Sequence, residues 1–147
     1  SLPAVIERAE RAAETVGAEE CGFEAIQLPF NVAMADAFTR ATQPRPDDPA
    51  GEAEERVSTL ECAHEAGIGV FTSASIGQGE LSTSLPDYVA DRLAGDTPAQ
   101  RALNFARSAP GVTCSLVGAS DRDHVRENVA AGTFDPLGAN AFDAVFE

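Results

Sequence analysis

Apolar residues along the chain alternate between two periods. Leu2, Ile6, Ala9, Ala13 and Val16 recur at helical spacing and predict a helix over residues 1–16. Ser1 stands at its cap, Pro3 in its first turn and Gly17 at its end. Residues 23–28 read as a short strand that Pro29 ends. A weaker helical pattern covers 33–38, and residues 41–51, with three prolines and two aspartates, predict a loop. A second strong helix is predicted over 52–66, with Val57, Leu60, Ala63 and His64 near one face and Gly67 closing it. Residues 68–72 follow as a buried strand, and residues 73–79 as a loop of small side chains. Residues 86–93 predict a short helix. Thr97-Pro98-Ala99-Gln100 is a capping box opening a helix that runs to Ser108 and breaks at Pro110-Gly111. A strand over 112–117 then leads through Gly118 into a helix with acids at its start, ending near Gly132. Residues 136–147 predict a further short helix.

Short apolar strands separated by helices imply right-handed βαβ units in a parallel sheet. Three such strands complete no parallel fold. A barrel of eight βα units takes about 250 residues, and a doubly wound sheet has roughly five strands or more. The pattern therefore predicts an incomplete α/β architecture whose sheet has two open edges.

Composition narrows the function classes. A chain of 147 residues with 44% hydrophobic residues builds one domain with a core. No apolar run is long enough to span a bilayer, and no charged segment followed by an apolar one opens the chain, so the expectation is neither membrane nor secretion. Acidic residues number 24 against 10 basic ones, a net charge of −14, and every basic residue is arginine. The acids are dispersed. That balance disfavours a nucleic-acid partner and fits a protein kept soluble in a salt-rich cytoplasm; an acidic protein from a GC-rich mesophile is the other reading. Cys21, Cys62 and Cys114 are far apart, and His64 and His124 are isolated, so neither a disulfide framework nor a structural zinc site is indicated. A reduced, cytoplasmic protein is the expectation.

Candidate chemistry lies at the strand ends. Gly77-Gln78-Gly79 follows a strand, but Ser82 stands where a dinucleotide fingerprint needs its third glycine or an alanine, and the chain has no lysine for a P-loop. Gln27 sits late in its strand, where a glutamine serves a site or is a satisfied polar group at a sheet end. Between Val117 and the following helix, small residues place backbone N–H groups where a phosphate could sit. His124, Glu127 and Asn128 read equally as an exposed helix face. For catalysis the inventory is poor: one tyrosine, Tyr88, no lysine, His64 reading as a packed helix residue, and Ser73 and Ser120 without a histidine partner.

Three segments in order, however, resemble the C-terminal part of the aldo-keto reductase family. They are Phe23-Glu24-Ala25-Ile26-Gln27-Leu28-Pro29-Phe30-Asn31, then residues 66–79 (Ala-Gly-Ile-Gly-Val-Phe-Thr-Ser-Ala-Ser-Ile-Gly-Gln-Gly), then Val117-Gly118-Ala119-Ser120 through Arg126-Glu127-Asn128. The resemblance implies that residues 1–147 form the last three strands and surrounding helices of a (β/α)8 TIM barrel. Such a barrel reduces aldehydes or ketones with NADPH, or with NADH. It implies that Gln27 holds the nicotinamide carboxamide. Ser73, Ala74, Ile76, Gly77, Gln78 and Gly79 then pass under the nicotinamide and around the pyrophosphate. Gly118, Ala119, Ser120 and His124 lie near the adenosine 2′-phosphate, and Glu127 and Asn128 hold the adenine. Two positions depart from the family: Ser73 replaces the aromatic ring that many members stack on the nicotinamide, and His124 stands where NADPH-selective members often place arginine. The family's Asp, Tyr, Lys and His tetrad belongs to the other half of the barrel. The resemblance thus implies a fragment inactive alone, whose partners are a nicotinamide cofactor, a carbonyl substrate and the missing N-terminal half-barrel. A half-barrel that self-associates as a binding or assembly module is the rival expectation.

Overall fold

The structure, a computed structural model, describes residues 1–146. Helix α1 (Leu2–Thr15) leads to strand β1 (Ala25–Pro29), a short helix α2 (Asp36–Thr39), and a two-stranded antiparallel pair, β2 (Gln43–Pro44) and β3 (Arg56–Val57). Helix α3 (Thr59–Glu65), strand β4 (Gly69–Ser73), a 3-10 segment (Gly77–Ser82) and helix α4 (Asp87–Ala90) follow. The chain closes with α5 (Pro98–Ser108), β5 (Cys114–Ser115), α6 (Arg122–Ala131), α7 (Ala139–Asp143) and a last 3-10 turn (Ala144–Phe146).

The three main strands form one parallel sheet in the order β1-β4-β5. Gln27 pairs with Phe71 and Phe71 with Cys114, so these three form a row across it. Alternation separates the two faces. Ile26 and Leu28 pack against the core, and Val70 and Thr72 are buried with α3 and α5 against the sheet. Ala25, Gln27, Pro29 and Cys114 are exposed on the other face. One face is covered and one is bare.

Aromatic packing closes the covered side. The Phe30 ring stacks on Phe105 with centroids 5.7 Å apart, and Phe142 of α7 meets Phe105 at 5.0 Å and the edge of Phe38 at 5.0 Å. Phe30, Phe105 and Phe142 are fully buried, so α7 is held by its Phe142 ring rather than by its five residues of helix.

The second predicted helix is shorter than its periodicity. It starts at Thr59 because Ser58 is extended and its Oγ accepts the Glu61 N–H at 3.1 Å. Upstream, Val57 is buried through a strand, not a helix face. The segment before it is held by Asp48, whose carboxylate accepts the N–H groups of Glu52 (3.1 Å) and Ala53 (2.8 Å). Those two bonds, that of Ala53 foremost, hold the Asp48 carboxyl below its ordinary range. Arg45 completes the arrangement with ion pairs to Glu55, Glu61 and Glu65. Residues 41–51 are accordingly not all loop, since they contain β2.

Other expectations are corrected in detail. Ser1 occupies the cap position of α1 without a side-chain bond, and the Leu2 N–H goes to Gln43 Oε1 at 2.8 Å. His64 is exposed in the last turn of α3 rather than packed. The last strand pairs over two residues, flanked by Thr113 N–H to Val70 O (2.9 Å) and Leu116 N–H to Thr72 O (2.8 Å). The Thr97 capping box is present in full. Among the described residues, no helix is long and apolar enough to cross a membrane.

Candidate functional site

The carboxyl ends of β4 and β5 and the start of α6 enclose a cavity of about 500 Å³. Its first wall is the turn after β4. Ala74 (φ 54°) and Gln78 (φ 55°) adopt left-handed backbone without being glycine, and Gly79 sits at φ 101°. L-residues adopt that conformation at a cost, so something must hold it. Asn31, 1% exposed just past β1, does so. Its Nδ2 donates to Ala74 O at 2.8 Å while its Oδ1 accepts the N–H groups of Ala33 (2.8 Å) and Met34 (3.0 Å). Beneath the turn, Thr72 Oγ1 donates to Ser115 Oγ (3.0 Å) and Ser75 Oγ to Leu116 O (3.2 Å), which fastens β4 to β5.

The second wall is the start of α6. Asp121 caps it, accepting the N–H groups of Asp123 (2.9 Å) and His124 (3.0 Å) on one carboxylate oxygen. Those bonds, that of His124 first, hold the Asp121 carboxyl below its ordinary range. His124 Nδ1 lies 3.2 Å from Asp121 Oδ2 and 3.2 Å from Ser120 Oγ. Two of the N–H groups at this helix start, where a phosphate could sit, thus bind the protein's own carboxylate. No arginine lines the cavity, and Arg126 is paired with Asp123 at 2.7 Å. One turn further, Glu127 Oε1 accepts from Thr97 Oγ1, and Asn128 Nδ2 reaches Gly118 O at 3.4 Å.

Of the residues singled out in the sequence, Ala74, Ile76, Gln78, Gly79, Gly118, Ala119, Ser120, His124, Glu127 and Asn128 line this one cavity. Gln27, Ser73 and Gly77 do not. Gln27 is exposed on the bare face of the sheet, and the carbonyl of Ser73 accepts the Phe30 N–H at 3.0 Å. Ser75, inside the predicted loop, also lines the cavity, as do Ser82, Ala99, Leu116 and Val117, which the sequence reading missed. Ala99 arrives because the capping box sets the start of α5 against α6; the box was visible, its neighbour was not.

A second cavity, of about 890 Å³, holds none of the predicted site residues. Phe38, Leu60, His64, Pro110 and Phe146 help line it. Tyr88 is 59% exposed and lines neither cavity. Among the described residues, no group of three His, Cys, Asp or Glu side chains gathers to hold a metal ion.

Parallel strands whose carboxyl ends open into a cavity beside a helix start are an α/β arrangement. No family model and no curated protein matches the chain. Among solved structures it is similar to the aldo-keto reductase AKR11C1 from Bacillus halodurans in its holo form. The TM-score is 0.55 and the identity 19%, over 94% of this chain and 46% of that one. The chain thus spans about half the length of that structure. The likeness carries the fold: a three-stranded parallel sheet with flanking helices, consistent with part of a TIM barrel.

Proposed function

We propose that residues 1–147 are the C-terminal, cofactor-binding portion of an aldo-keto reductase barrel, with the strands that complete it on polypeptide outside this chain. The bare sheet face carries this reading. Parallel sheets are covered on both faces, and here Ala25, Gln27, Pro29 and Cys114 lie open where a barrel interior would be. The ligand is a nicotinamide dinucleotide with its adenosine end in the α6 cavity, where Glu127 offers an acceptor to an amine and Asn128 an amide. The cavity, of about 500 Å³, turns the Glu127 and Asn128 side chains toward that end. For a 2′-phosphate it offers His124, which carries charge only when protonated, beside the Asp121 carboxylate. With no arginine among the lining residues to pair a 2′-phosphate, NADH is taken at least as readily as NADPH. The cofactor would supply hydride to a carbonyl substrate, with the proton-donating machinery on the absent half.

The test is titration of the chain with ADP-ribose, the dinucleotide without its nicotinamide, followed by NMR. Shifts confined to residues 74–79 and 118–128 are expected, with Glu127→Ala weakening binding about tenfold, or about 1.4 kcal/mol. No binding, or shifts elsewhere, would falsify the reading. A second reading, a half-barrel that covers its bare face with another copy, rests on the same exposed row and the two open sheet edges. Sedimentation separates the two: a monomer at high concentration argues against self-association.

A further inference from the structure

Helix α5 begins with a capping box whose two members do more than cap. Thr97 Oγ1 accepts the Gln100 N–H at 3.3 Å, and Gln100 Oε1 accepts the N–H groups of Asp96 (2.8 Å) and Thr97 (3.3 Å). That is all a helix start requires. Yet the Thr97 hydroxyl proton goes to Glu127 Oε1, thirty residues on. Gln100, 5% exposed, turns its Nε2 to the Glu127 carbonyl at 3.3 Å. Both halves of the box grip one residue of α6, by its side chain and by its backbone. Glu127 lines the cavity, and among the described residues Oε2 has no protein donor.

We propose that Thr97 is a positioning residue for Glu127, locking the carboxylate so that Oε1 is occupied and Oε2 is presented to an N–H donor of the bound ligand. A glutamate otherwise samples many rotamers, and an acceptor that must be ordered on binding recognises its donor poorly. The inference rests on the reading above, in which that donor is the adenine amine. It adds that selection for an amine over an oxo group at this point of the base is set by the start of α5.

The experiment compares binding of NAD+ and of its hypoxanthine analogue, in which the amine is replaced by an oxo group. The unmodified chain should prefer NAD+ about tenfold. Thr97→Ser keeps the hydroxyl and should keep that ratio. Thr97→Asp keeps an oxygen to cap α5 but has no proton to give, and the ratio should fall below about threefold. A variant that weakens both ligands equally would mean that Thr97 only holds the helices together, which overturns the proposal. Glu127→Gln tests it without touching the cap. With the amide oxygen fixed on Thr97, the NH2 must face the ligand, so preference should invert toward the oxo base. Retained or vanished preference in this variant overturns the proposal while leaving the functional reading intact. If the unmodified chain binds neither dinucleotide, the functional reading fails and the proposal fails with it.

Discussion

The two faces of the parallel sheet are made from the same strands and have opposite fates. On the covered face, Val70 and Thr72 alternate with residues that point away from the helices, and Phe30, Phe105 and Phe142 form a dry stack. On the bare face, the Gln27, Phe71, Cys114 row crosses three strands without a helix above it. The covered face is finished by segments adjacent in sequence. The bare face has no such cover among the described residues. A βαβ chain thus completes one layer unit by unit as each helix returns onto the sheet.

The largest expected effect falls on the covered face. Phe142→Ala should cost about 3–5 kcal/mol in denaturant unfolding; a loss under about 1 kcal/mol would mean that the aromatic stack is not the core. Ser58→Ala, which removes the cap that starts α3, should cost about 1 kcal/mol. Next in size is an effect of acid on α6. The folded Asp121 carboxyl titrates below its ordinary value of 3.8, so its contribution is whole above about pH 4 and is lost as pH falls through the depressed value. Amide exchange at Asp123 and His124 should accelerate there before the core opens, and Asp121→Asn should remove most of that pH dependence. The smallest effect belongs to the bare face, where Phe71→Ser in the chain alone should change stability by less than about 0.5 kcal/mol. A loss matching that of Phe142→Ala would break the comparison, because the face would then be covered in solution.

Most of the fold was legible because each long element carries one clear period and its own punctuation, such as the Thr97 box and the glycine after α1. The start of α3 was not. Val57 satisfies a helical stripe and a two-residue strand equally well, and what decides is Asp48 and Arg45 arranging the segment before it. Within the site, residues 118–128 were legible because they are contiguous. Ser82, Ala99 and the grip of Thr97 on Glu127 exist only once α5 lies against α6. Whether the first N–H groups of α6 are free for a phosphate depended on one side chain. Asp121 was visible in the sequence as an acid near a helix start, but its bond to them was not.

The bond from Asn31 to the Ala74 carbonyl bears on the speed of ligand capture. It joins the segment after β1 to the turn after β4 through a buried asparagine, so that turn takes shape when the protein folds, not when a ligand arrives. A ligand reaching this side of the cavity meets a finished surface, and association should follow a single phase whose rate rises linearly with concentration. Asn31→Ala frees the turn to sample other shapes, so capture should become slower and saturable, limited by how often the left-handed turn is visited.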